Sequence, residues 1–193
     1  MNVTTGSRER FVRLYEDNSA RVLAYAVRRV DDREEASDIV AETFAVVWRR
    51  IADVPEGRAE LAWLYGVARR VLANHRRSGA RFARLQSRLT GVRDDPVDDG
   101  VDPGPFLAQE ALAALAGLPA RHQEVLRLAA WEELSQAEMA AVLQCSPNAV
   151  AIRLHRARRA LQAAFERELG SEARLDAPRP RSHRGPHNTG GNP

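Results

Sequence analysis

Residues Leu134–Leu161, LSQAEMAAVLQCSPNAVAIRLHRARRAL, carry the punctuation of two helices joined by a tight turn. Ser135 and Glu138 form an S-x-x-E capping box, which starts the first helix near Gln136. Ser146 followed by Pro147 is a second start signal, a cap residue and then a proline at the first helical position. Only Gln144, Cys145 and Ser146 lie between the two helices. That spacing predicts a helix-turn-helix, whose second helix lies in the DNA major groove.

The second helix has two distinct sides. At about 100° per residue, Val150, Leu154, Ala157 and Leu161 fall in one stripe, which predicts the buried side. Asn148, Ile152, His155, Arg156 and Arg159 gather opposite, with Arg153 on the flank. An isoleucine among arginines is out of place on a face that only meets water. Against a base edge it can touch a thymine methyl, while Arg and Asn bond bases or phosphates. The competing reading is an amphipathic surface helix with a solvated basic side.

All 29 Lys+Arg side chains are arginine, a type suited to phosphate and carboxylate recognition. The net charge of +3 is unevenly distributed. Residues 1–90 carry 17 arginines against 12 acids, whereas residues 91–107 carry one arginine against five aspartates. This pattern divides the chain into two parts with an acidic bridge. The bridge, GVRDDPVDDGVDPGP (Gly91–Pro105), combines turn formers with like charges and predicts a flexible linker. The tail from Ser171, rich in Pro, Gly and Arg, predicts disorder over 171–193.

The first part is predicted to be all helical. Asp31 or Asp32 caps a helix whose first turn holds Glu34 and Glu35, matching its positive end. Ala36, Ile39, Val40, Thr43, Phe44, Val47, Trp48 and Ile51 form its apolar stripe, with Asp38, Glu42, Ala45 and Arg49 opposite. After Pro55 and Gly57 a further helix is predicted from about Ala59 to Ser78, striped by Leu61, Leu64, Ala68, Val71, Leu72 and His75. Its later half is basic. Phe11, Leu14, Tyr15, Val22, Leu23, Ala26, Val27 and Val30 supply one or two helices that pack on these. No segment alternates as a strand.

Several classes are disfavoured. No run of 18 apolar residues predicts a membrane span, and the polar start has no signal-peptide apolar region, so a cytoplasmic location without membrane insertion is expected. Cys145 is the single cysteine, and its expected role is packing in the turn. His75, His122, His155, His183 and His187 have no metal-ligand spacing, and no phosphate loop or nucleophile motif is present. No catalytic residue, metal or cofactor is expected.

Four stretches, in order, resemble the extracytoplasmic-function (ECF) sigma factors, the two-domain promoter-specificity subunits of bacterial RNA polymerase. They are FVRLYEDNSARVLAYAVRRVDD, ASDIVAETFAVVWRRI, AWLYGVARRVLANHRRSGAR and ALAGLPARHQEVLRLAAWEELSQAEMAAVLQCSPNAVAIRLHRARRAL. The resemblance implies an all-α fold of two small helical domains: a region 2-like domain in residues 1–90, a linker at 91–106 and a region 4-like helix-turn-helix domain at 107–170. The implied function is promoter-specific initiation through core RNA polymerase.

Residue roles follow from the same resemblance. The DIVAETF segment implies a polymerase-docking helix with Asp38, Ile39, Glu42, Thr43, Phe44 and Arg49. The loop holding Asp53, Pro55, Gly57 and Arg58 corresponds to one that captures a flipped base, which needs a pocket with edge contacts. The next helix, with Trp63, Arg69, Arg70, Asn74, Arg76 and Arg77, would follow the minus-ten backbone, Trp63 reading as a packing residue. Ser146, Asn148, Ala149, Ile152, Arg153, His155, Arg156 and Arg159 would meet the minus-thirty-five element. The family commonly has an anti-sigma partner.

Three features depart from the family pattern, at Arg70, at Gln144 and at the pair Ala151 and Ile152. Arg70 stands where Asn is usual, and Ala151 and Ile152 stand where basic and hydroxyl residues are common, so promoter preference is not inherited. Gln144 replaces a turn glycine; a left-handed backbone costs a non-glycine residue roughly 1–2 kcal/mol, so a reshaped turn is expected. The competing function is a helix-turn-helix regulator that binds an operator alone, with residues 1–90 as its effector or dimerisation module.

Overall fold

The computed structural model describes residues 5–90 and 106–175. Seven α-helices account for nearly all of them, with no strand among the described residues. The first half contains α1 (Thr5–Val27), α2 (Arg33–Arg49) and α3 (Ala59–Thr90), with a single 3-10 turn at Ile51–Asp53. The second half contains α4 (Phe106–Ala116), α5 (Ala120–Ala130), α6 (Gln136–Leu143) and α7 (Pro147–Leu175). The linker expected at Gly91–Pro105 lies outside the described residues.

Local chemistry explains the helix boundaries. The Asp32 carboxylate accepts from the Glu34 amide at 2.9 Å, so the second of the two candidate aspartates is the cap of α2. Ser135 and Glu138 close the capping box in both directions and fix the start of α6. The Ser146 hydroxyl accepts from the Ala149 amide at 3.2 Å and starts α7. Between α4 and α5, the Gln123 amide donates to the carbonyls of Ala116 (2.9 Å) and Leu118 (2.8 Å), satisfying acceptors freed at the end of α4.

The single helix α1 occupies the region expected to hold one or two helices. Two boundaries differ from the sequence expectation. Helix α3 continues past Ser78 and Gly79 to Thr90, since an isolated glycine costs a helix only about 1 kcal/mol. Ser171 is not the start of the tail, because α7 runs on to Leu175. The rest of the tail lies outside the described residues.

Helices α1, α2 and α3 pack around Leu14, Val22, Ile39, Phe44, Val47, Leu64 and Leu72. Edge-on aromatic contacts join α1 to α2: Phe11 meets Trp48 with ring centroids 5.0 Å apart, and Tyr15 meets Phe44 at 4.8 Å. In the second half, α4, α5 and α6 all pack on α7, whose Val150, Leu154 and Ala157 are buried as the stripe requires. The two halves are docked on each other, with α6 against α3. A division into parts joined by a flexible bridge gives no hint of that contact.

Candidate nucleic-acid interface and docking face

In the helix-turn-helix, the side of α7 opposite its core stripe is open. Asn148, Ile152, Arg153, His155, Arg156 and Arg159 are all exposed, and Ala149 is half-buried at the helix start. Ile152 is 45% exposed. The burial of Val150, Leu154 and Ala157 fixes the rotation of the helix, and with it the direction of these side chains. Arg158, also exposed, was missed by the sequence reading although it lies beside Arg159.

The turn was not reshaped. Gln144 adopts φ 53° and ψ 49°, the left-handed conformation, and its amide bonds back to the Ala140 carbonyl. The expected strain is present and is tolerated, because that conformation closes α6 and lets α7 leave at the motif's angle. Next to it, the Arg153 guanidinium donates to the Cys145 sulfur at 3.6 Å. Cys145 therefore holds an arginine as well as lying in the turn.

The loop before α3 is built on a hidden support. Arg10, from α1, donates to the carbonyls of Ile51 (3.1 Å) and Val54, and Val54 itself is buried. Asn18 is also buried and bridges the Leu14 carbonyl (3.1 Å) and the Glu60 carboxylate (3.0 Å), anchoring the start of α3. Neither residue was singled out from sequence, because their partners lie more than 40 positions away along the chain. Above this support Asp53 pairs with Arg50 at 2.9 Å, and the Arg50 guanidinium lies 5.8 Å from the centre of the Trp63 ring. Pro55 is half-buried, and Gly57 takes φ 69°, a left-handed turn that frees Arg58 into solvent.

Along α3, Trp63 and Arg69 are half-buried while Arg70, Asn74 and Arg77 are exposed. Arg77 donates to the Asn74 side chain, and Arg81 reaches the Arg77 carbonyl at 3.3 Å. Arg76 is engaged elsewhere: its Nη2 donates to the Arg29 carbonyl at 2.7 Å. The basic stretch therefore holds several exposed cations and one arginine tied to the turn after α1.

Of the six α2 residues implied for docking, three are exposed and three are buried. Asp38 and Arg49 are exposed, and Glu42 accepts from His75 at 3.0 Å. Ile39 and Thr43 are fully buried and Phe44 is 3% exposed, so these three seat the helix and do not present a surface. Helical spacing already put them on the apolar stripe, and that packing demand outweighs the role implied by resemblance. The Thr43 hydroxyl has no hydrogen-bond partner among the described residues.

No group of three or more His, Cys, Asp or Glu among the described residues could hold a metal ion, and no described helix is long and apolar enough to cross a membrane.

Comparisons with known proteins agree with this architecture. Sigma-70 region 2 matches residues 14–82, and Sigma-70, region 4 matches residues 108–161. The chain is 33% identical over 161 residues to the ECF RNA polymerase sigma factor SigL of Mycobacterium tuberculosis, covering 81% of this chain and 89% of SigL. It is 34% identical over 158 residues to the RNA polymerase sigma factor CnrH of Cupriavidus metallidurans, covering 75% of this chain and 81% of CnrH. Among solved structures, CnrH in complex with the cytosolic domain of CnrY gives a TM-score of 0.56 at 26% identity, covering 81% of this chain and 87% of that one. The sigma factor RpoE in complex with the anti-sigma factor NepR from Bartonella quintana shares the fold, with a TM-score of 0.63 at 22% identity over 81% of this chain and 96% of that one. With both sigma regions matched in order and relatives aligned over most of their length, the chain belongs to the ECF RNA polymerase sigma factor family.

Proposed function

We propose that the exposed side of α7 reads the minus-thirty-five element, that the Asp53–Arg58 loop and α3 handle the minus-ten element, and that Asp38, Glu42 and Arg49 dock on core RNA polymerase. The observation that carries this reading is the pairing of an open, arginine-rich recognition face, with Ile152 at its centre, and a second basic helix in the same chain. Arg69, Arg70 and Arg77 suit a backbone-following role through charge, while Ile152 and Asn148 suit base edges. Gly57 supplies the backbone freedom that a base-capturing loop needs.

Promoter reading through two small surfaces is weak until a scaffold fixes their spacing, and core polymerase is that scaffold. A stand-alone operator-binding regulator is the competing reading, and both family matches weigh against it. An anti-sigma protein is a further partner, suggested by CnrH and RpoE, each of which was solved in a complex of this kind or with CnrY. We place the protein in the cytoplasm, where polymerase works.

Reversing both charges, Asp38→Arg with Glu42→Arg, tests the docking assignment. Association with core polymerase is expected to be lost, while the melting midpoint barely moves, because exposed positions usually change stability by within about 0.5 kcal/mol. Normal polymerase binding by the double variant would show that this face is wrongly assigned. Promoter-dependent initiation by purified protein with core polymerase tests the whole reading. Tight operator binding with no gain from polymerase would favour the regulator.

A further inference from the structure

Arg10, Leu14 and Asn18 are spaced four residues apart on α1, so they share one side of that helix. Leu14 is buried between them, and the two polar residues reach the loop before α3 at its opposite ends. At the entry, Nη1 of Arg10 donates to the Ile51 carbonyl at 3.1 Å and Nη2 donates to the Val54 carbonyl. A planar guanidinium fixes the spacing and tilt of two acceptors at once, which the single ammonium of a lysine does not. At the exit, the Asn18 amide donates to the Leu14 carbonyl at 3.1 Å and to the Glu60 carboxylate at 3.0 Å. The Glu60 backbone amide in turn donates to the Gly57 carbonyl at 3.0 Å, so the exit anchor reaches back to the tip.

Between these anchors the tip is open. Glu56, Gly57, Arg58 and Ala59 are exposed, and a Cβ placed at Gly57 would meet nothing within 4 Å. Val54, at the entry, is buried, so taking Arg10 from its carbonyl either strands an acceptor or makes the loop move. A loop with fixed ends and a free tip has few shapes to choose among. The cost of ordering it around a ligand is then largely met before the ligand arrives.

We propose that Arg10 and Asn18 are positioning residues for minus-ten recognition: from α1 they hold both ends of the loop, and they set its base selectivity without touching DNA. The proposal rests on the reading of the Asp53–Arg58 loop as the one that captures a base. Affinity for the strand comes from the arginines of α3, which meet phosphates whatever the sequence. Discrimination comes from tip groups that pair with one base and reject others only while they are held in one arrangement. A slack loop adapts to the wrong base. Loss of the anchors therefore relaxes selectivity more than it weakens binding.

The test uses the full chain with core polymerase and a promoter library randomised at the minus-ten element. Gly57→Val strains the left-handed tip itself, and the base position whose preference it alters most marks the captured base. At that position Arg10→Met, which keeps the apolar stem but loses both donors, should lower discrimination between bases about ten-fold, within the range one base pair usually contributes. Asn18→Leu should do the same at the other anchor. Polymerase affinity and preference at the upstream element should stay unchanged in both. Arg10→Lys keeps the charge without the fork and should lose part of the same selectivity, which keeps the test readable if Arg10→Met does not fold. Arg13→Met removes the same charge from an exposed position on α1 and should leave selectivity intact. If Gly57→Val shifts the preference while the Arg10 and Asn18 variants keep it, the positioning role is overturned and the loop reading stands. A uniform loss across all minus-ten sequences, together with weaker polymerase binding, would reduce both residues to a general structural role and also overturns it. If no variant shifts the preference, Gly57→Val included, the loop reading fails and the proposal falls with it.

Discussion

Arg29 and Arg156 are the same side chain in opposite surroundings. Arg156 is exposed on α7, whereas Arg29 is enclosed by Tyr25, Glu124 and Glu132. One is open to solvent; the other bonds carboxylates from the second half of the chain. In a chain whose cations are all arginine, residue type cannot separate these roles. Burial and the sequence distance to the partner do.

The largest expected contrast comes from removing each in turn. Arg29→Met leaves Glu124 and Glu132 without their cation, and breaking a buried pair in this way costs about 3–5 kcal/mol. Because the glutamates regain water if the halves separate, the measured loss should stop at the free energy of docking. Denaturant unfolding should therefore change from one transition to two, with each half keeping its helices. Retention of a single transition at the original midpoint would mean that Arg29 does not join the halves.

Arg156→Ala should do the reverse. Its unfolding should be unchanged, while initiation dependent on the upstream promoter element should weaken by on the order of 1–3 kcal/mol if the side chain makes a bidentate base contact. If it holds a phosphate, the loss should be uniform across promoters and the salt slope should fall by about one. Ile152→Ser should change which upstream sequence is preferred more than it changes binding. A promoter library randomised at that element separates these outcomes, and unchanged preference in both variants would remove α7 from the DNA.

Thr43 extends the comparison to a neutral group. Its hydroxyl is buried without a hydrogen-bond partner among the described residues, so Thr43→Val should raise stability by about 1 kcal/mol and leave polymerase binding intact. A loss of polymerase binding would return Thr43 to the docking face.

Glu138 gives the smallest effect and the counterpart to buried Glu132. Hydrogen bonds from Ser135 hold its pKa below the usual carboxylate value. Stabilisation from a depressed carboxylate is complete above the unfolded value of about 4.3 and is lost as pH falls through the folded value. The difference in melting temperature between the native protein and Glu138→Gln should therefore be constant near neutral pH and shrink below about pH 4. A difference that persists at lower pH would mean that the capping box does not depend on the Glu138 charge.

Much of this molecule could be read along the chain. The caps at Asp32, Ser135 and Ser146 act within three residues, and the stripes of α2, α3 and α7 follow from helical period alone, so both were legible. The rotation of α7, and hence the exposure of Ile152 and the arginines around it, followed from Val150, Leu154 and Ala157. Where a stripe and an implied contact role competed, at Ile39, Thr43 and Phe44, the stripe prevailed because a small bundle cannot spare core side chains for its surface.

What the sequence determined, then, is whatever depends on neighbours a few residues away: helix starts, the turn between α6 and α7, and which side of each helix is apolar. The tertiary structure alone decided which polar groups meet across the chain. Arg10 under the loop at Val54, Asn18 beneath Glu60 and Arg29 between Glu124 and Glu132 find partners 41 to 103 positions away. No local pattern marks such pairs, because a charged side chain next to the end of a helix looks the same in sequence whether water or a distant carboxylate completes it. Only the packing of distant parts of the chain on one another removes the water and makes that choice.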